Sequence, residues 1–229
     1  MKNPKEEIRD YLNILIGRFF YIKNLDSQLK ILKEWESPKR IEAIDVGSHI
    51  FGLISYSFQR TILIELCIYL SKREKKSLSD FLVKAEENAD VTEVHNIDAR
   101  QYKLIIQEHR KQLEKKDNLI ARIKTIRNKN IAHADEAFFK NPNDIYKKYP
   151  IHTSETDELL DIISNILKDH HIYLFGRDMD MVFRTSSGIE AILIYTRAYK
   201  RIWEDDRLRH INRSIYSEDD YNTTDSICS

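Results

Sequence analysis

Between residues 5 and 36, apolar side chains recur at Ile8, Leu12, Leu15, Phe19, Ile22, Leu25, Leu29 and Leu32. Steps of three and four put all eight on one face of a long amphipathic helix, which ends before Pro38. Residues 42 to 72 are apolar almost all round, so the pattern predicts a second helix at the centre of the fold, touching several neighbours. SLSD at 77–80 has the form of a capping box and opens a shorter helix to about residue 88. After the polar connection ENADVTEVHNID, a long helix is expected from about Ala99 to His133. DEAFFKNPNDIYKKYP carries two of the four prolines and reads as an irregular crossover. Ser154, with Glu155, Asp157 and Glu158 in the first turn, starts a helix to about Tyr173. Ser187 with Glu190 caps another that runs to about Trp203.

These segments predict an all-α fold, a multi-helix up-and-down bundle spanning residues 1–204. Composition agrees, because 5 Gly and 4 Pro in 229 residues leave too little turn punctuation for many short strands. Residues 205–229 are acid-rich and poor in large apolar side chains, which predicts a polar, flexible C-terminal tail. Cys67 and Cys228 are too far apart to imply a disulfide framework, and MKNPKEEIRD is too charged to lead a signal peptide, so a cytoplasmic protein is expected. Gln59, Arg60 and Glu65 interrupt the most apolar segment, which reads as a core helix rather than a membrane span.

Charge narrows the candidate chemistry. The net charge is zero, so attraction to nucleic acid has to be local. Between Asp98 and His133 ten Lys or Arg face four Asp or Glu. That basic run ends in RIKTIRNKNIAHAD, where Arg127 and His133 have five residues between them. A bare Arg–His spacing of this kind arises by chance about 1.7 times in a chain of this composition, so its setting decides. Leu119, Ile120, Ile123 and Ile126 precede Arg127 as an apolar stripe, and at α-helical spacing Arg127, Asn130 and His133 share one polar ridge. A core helix has no use for R, N, K, N and H in one turn.

RNKNIAHAD resembles the signature of HEPN domains, and its AHAD ending is similar to the abortive-infection branch of that superfamily. The resemblance in helix content and order covers roughly residues 1–204; residue-by-residue matching is confined to 127–135. It implies an α-helical bundle whose long helix ends on an arginine, a polar residue and a histidine, here Arg127, Asn128 and His133. Asp135 stands where the branch paired with a minimal nucleotidyltransferase usually has tyrosine, a departure from that branch. The implied activity is metal-independent endoribonuclease action as a homodimer, in a toxin–antitoxin or antiphage system. An antitoxin or defence-system protein would be the partner.

The residue types suit that chemistry. In metal-free RNA cleavage the 2′-hydroxyl attacks the adjacent phosphorus, so one group takes its proton and another protonates the leaving 5′ oxygen. Histidine, with an ordinary pKa of about 6.5, suits both transfers. Arginine donates to two phosphate oxygens and keeps its charge, which suits the phosphorane. Two copies of His133 in a homodimer would supply both base and acid. Asn128, Asn130, Lys129 and Asp135 are candidate supporting or RNA-binding residues.

No metal, cofactor or membrane is expected. The plainer alternatives are an Arg127 paired with Asp135 or Glu136 and a His133 that serves as a helix C-terminal cation. The rival function is a non-catalytic helical module of the same fold that binds a protein or nucleic acid. His170 and His171 diverge on a helix and read as surface residues, and the remaining histidines have no ligand spacing. KREKK at 72–76 reads as a solvated helix end.

Overall fold

A computed structural model describes residues 4–72, 74–132, 144–179 and 188–204. Side chains at 4, 5, 130–132 and 203 are not described. Among the described residues there are nine α-helices, one π-helical turn and no strand, so the fold is all-α. The helices are α1 (Pro4–Trp35), α2 (Glu42–Val46), α3 (Ser48–Tyr69), α4 (Leu78–Glu87) and α5 (Ala99–Glu114). They continue as α6 (Asp117–Ile126), α7 (Asp144–Lys148), α8 (Thr153–Phe175) and α9 (Gly188–Glu204), with the π-turn Arg127–Ala132 following α6. The expected cap Ser187 and the segment 205–229 lie outside the described residues.

The chain forms two compact units, Met1–Asp26 with Ser57–Arg184, and Ser27–Tyr56 with Thr185–Ser229. All eight residues of the α1 stripe are buried. In the first unit, Tyr69 donates to the Leu15 carbonyl (3.2 Å), and Arg18 pairs with Glu65 at 2.7 Å. The Tyr11 hydroxyl is 2.8 Å from Asp80 and 3.0 Å from the Ser77 carbonyl. Ser77 caps α4 by accepting from the Asp80 N–H, while the Asp80 carboxylate turns to Tyr11 and Lys84 instead of closing the expected box. Asp98 and Gln101 close a full capping box at α5. Gly176 ends α8 at φ +70°, where a Cβ would sit 3.0 Å from the His95 ring. Glycine alone satisfies both demands.

In the second unit the Gln28 side chain accepts from the buried Ile189 N–H at 3.0 Å, and Gly188 leaves room for this approach. Arg197 and Arg201 both reach Glu42, joining α9 to α2.

Several expectations need correction. The helix predicted over 42–72 is two helices broken at Gly47, and α3 ends at Tyr69, so KREKK falls after the helix rather than at its end. Nor is α3 central. Ile50, Leu53 and Tyr56 are exposed, and it is one helix, among the described residues, long and apolar enough to cross a membrane, with 22% of that window buried. Its polar Glu65 is absorbed by Arg18. The helix expected over 99–133 breaks at Lys115–Lys116 and leaves α-geometry at Arg127. α8 begins at Thr153, one residue before the expected cap, with the Glu155 carboxylate accepting from the His152 N–H. Part of the expected crossover is helical, as α7.

His170 and His171 are buried, not surface residues. Tyr102 contacts His170 Nδ1 at 2.8 Å, His170 Nε2 contacts His109 Nδ1 at 3.3 Å, and His109 Nε2 contacts Asp169 at 3.2 Å. A carboxylate only accepts, so His109 donates from Nε2, His170 donates to His109, and Tyr102 donates to His170. One proton order satisfies the whole row with both rings neutral. Burial holds the pKa of His170 well below its ordinary value; burial also lowers that of His109, against the pull of Asp169.

Stability therefore has a pH signature. Below about 6.5 the unfolded histidines take protons that the folded ones refuse, so the stabilisation is lost as pH falls. The urea midpoint should decrease between about pH 7.5 and 5.5, and His170→Leu should show a shallower decrease whatever its absolute stability. Identical slopes in the two proteins would remove this account.

Candidate functional site

The site begins with the face of α6 that does not touch water. Leu119, Ile123 and Ile126 are buried. Ile126 meets Ile145 of α7 in a cluster that Leu63, Tyr146, Tyr149 and Ile151 complete. That contact fixes the last turn of α6 immediately before Arg127. A second tie lies four residues earlier. Arg122 pairs with Glu155 at 2.5 Å and also donates to the Pro150 carbonyl, joining α6 to the start of α8. Hydrogen bonding to Arg122, helped by the His152 N–H, lowers the Glu155 pKa to about 2.

From Arg127 the backbone is a π-helix, RNKNIA. Its i→i+5 bonds place an extra residue in the turn, a rare arrangement that recurs at functional sites. The α-helical spacing that would align Arg127 with Asn130 is therefore not kept past Arg127. Arg127 is half-buried, and its guanidinium donates to the Asn128 side-chain oxygen at 2.9 Å. This bond holds one edge of the fork and leaves the planar group oriented. Arg127 and Lys124 both lower the Cys67 thiol pKa, which burial raises more strongly. The motif thus carries its charge near the C-terminal part of α3.

Of the six sequence-predicted site residues, Arg127 and Asn128 are adjacent and bonded. Lys129 is half-buried in the same turn and has an interaction of its own. The Asn130 side chain, His133 and Asp135 lie outside the described residues. Among the described residues, no group of three or more His, Cys, Asp or Glu side chains gathers as a metal site would require.

The positive excess over 98–133 is smaller in the fold than in the sequence. Lys103 pairs with Asp90 (2.6 Å), Lys116 with Glu158 (2.5 Å), Arg110 with Glu86, and Arg122 with Glu155. These four acids come from outside the segment, so four of its ten cations are committed to structure. Sequence counting could not see those partners.

An all-α chain whose basic helix leads into Arg127 and Asn128, with His133 six positions on, has the character of a HEPN-type domain. The family model described as AbiU2 (HEPN_AbiU2) matches residues 37–193, more than two thirds of the chain, and the protein belongs to that family. No curated protein and no solved structure matches the chain.

The Arg122 tie gives a test of how the helix end is held. With the folded Glu155 pKa at about 2 instead of 4.5, the pair's contribution is complete above about 4.5 and lost as pH falls toward 2. Arg122→Ala should cost about 1–2 kcal/mol at neutral pH, or roughly 2–8 °C in Tm, and should flatten stability across that acid window. Circular dichroism melts from pH 7 downward measure both effects.

Proposed function

We propose that the protein is a metal-independent endoribonuclease of HEPN type, acting as a homodimer in the cytoplasm. The carrying observation is Arg127 at the first position of a π-turn, oriented by Asn128 on a helix end fixed from below by Ile126, in a chain of the AbiU2 family.

In the reaction the substrate's 2′ oxygen forms a bond to phosphorus and the bond from phosphorus to the 5′ oxygen breaks, leaving a 2′,3′-cyclic phosphate. Arg127 donates to the non-bridging oxygens, whose negative charge grows in the transition state. His133 of one protomer accepts the 2′ proton, and the same residue of the second protomer protonates the departing 5′ oxygen. Asn128 and Asn130 orient the arginine or the phosphate, Lys129 adds positive charge, and Asp135 sets the imidazole's tautomer. This division of labour is the reason for a dimer. Its support is the proton count, and the second unit carries exposed apolar side chains, Ile50, Leu53, Ile192, Ile194 and Tyr195, that a partner would cover. The family points to a toxin or antiphage effector, with an antitoxin or defence-system protein as its regulator.

The second reading, a non-catalytic binding module, draws on the same exposed residues. Incubation of the purified protein with mixed RNA in EDTA separates the two. Arg127→Ala and His133→Ala should each reduce cleavage by about 10²-fold or more while the melting temperature stays within about 2 °C. Products should end in 2′,3′-cyclic phosphate. Products with 3′-hydroxyl ends would contradict transesterification, and loss of folding in either variant would make that residue structural.

A further inference from the structure

The first unit contains a cavity of about 810 Å³ bounded by α4, α5, α6 and the C-terminal end of α3. Its volume lies within the range of small-molecule sites. Leu70, Leu82 and Leu113, all buried, give it apolar walls. Its charged residues balance, with Lys72, Arg110 and Lys124 against Asp80, Glu114 and Asp117.

One face of α6 runs from the cavity toward the motif. Asp117, Ile120, Ala121 and Lys124 all line it, at offsets of zero, three, four and seven along α6. Arg127, three residues beyond Lys124, stands at the flank of that face. From Ala121 to Arg127 is about 9 Å of helix axis. Cys67, which also lines the cavity, experiences the charges of both Lys124 and Arg127. A phosphate held by Arg127 would therefore lie at the cavity's edge.

We infer that this cavity receives the nucleobase attached to the phosphate that Arg127 holds, and so sets which nucleotide is presented for cleavage. The inference rests on the proposed ribonuclease activity for the identity of that phosphate. Balanced charge and apolar walls disfavour a second phosphate inside, whereas the base is the neutral, flat part of a nucleotide. Arg110, braced by Glu86, supplies a guanidinium plane against which a base can stack. Glu114 and Asp117 are acceptors at the rim, with Asp117 held 3.8 Å from Lys72. Carboxylates accept from the exocyclic amino group of adenine or cytosine, and uracil offers only a carbonyl at that position. The pocket therefore prefers an amino-bearing base.

Cys67 makes the site measurable without any assay of cleavage. In the full chain carrying Cys228→Ser, iodoacetamide modifies Cys67 at about pH 9, where the thiolate is accessible despite its raised pKa. Adenosine or cytidine 3′-monophosphate at ten times its Kd should slow this modification about tenfold, because only the unliganded fraction reacts. Uridine 3′-monophosphate should protect several-fold less at equal concentration, and inorganic phosphate should not protect. Ala121 and Val83 are both exposed on the cavity wall, so Ala121→Trp and Val83→Trp fill the space without entering the core. Each should abolish protection, and His133→Ala should retain it. Equal protection by phosphate, or protection that survives both tryptophan variants, would overturn the pocket. RNA cleavage without nucleotide protection would also overturn it while leaving the nuclease reading intact. Protection without cleavage would support the pocket and remove the nuclease reading.

Discussion

The burial of Ile126 against Ile145 is the contact on which the candidate site depends. Arg127 is the next residue, so whatever fixes Ile126 also fixes where the arginine leaves the core. A fully buried aliphatic side chain contributes about 1.5–3 kcal/mol of transfer free energy, enough to hold a helix end that carries polar groups on its other faces. Arg122 and Glu155 add a lateral tie to α8. The helix therefore reaches the motif with its roll and its height both set.

The π-turn begins at the residue after that contact. An α-helical register would carry the polar residues after Arg127 around at 100° per residue, whereas the wider turn delays that rotation. Arg127 follows Lys124 at the flank of the face that lines the cavity, and Asn128 takes one edge of its guanidinium. An arginine that is already directed needs little reorganisation when negative charge develops on a phosphate, and preorganisation of this kind is the main source of electrostatic catalysis.

Much of this was legible in the chain and some of it was not. The α1 stripe could be read because its burial depends only on period, and all eight positions are in the core. Arg127 and Asn128 were expected as site residues from the motif and its place after an apolar stripe, and the two side chains are hydrogen-bonded. The two histidines of α8 were misread, since adjacency on a helix was taken to mean exposure. The available signal was in α5, where His109 continues the buried series Tyr102, Ile106, Leu113 and so needed a buried polar partner. Gly47 was visible as a helix breaker, but nothing local marks the break at Lys115–Lys116. The neutralisation of four basic residues was illegible because it depends on groups outside the segment, Glu86, Asp90, Glu155 and Glu158.

If Arg127 binds the phosphate while two copies of His133 divide the proton transfers, the working unit is a pair of chains and not one. The most direct measurement is the activity of a mixed dimer, one wild-type protomer and one His133→Ala protomer, purified through two different affinity tags and assayed on a fluorogenic RNA. Both arginines remain, so RNA binding should be retained, while loss of one positioned acid or base should lower the rate about 10²- to 10⁴-fold. Activity near half that of the wild-type dimer would mean that each chain carries a complete site, and would contradict the composite site.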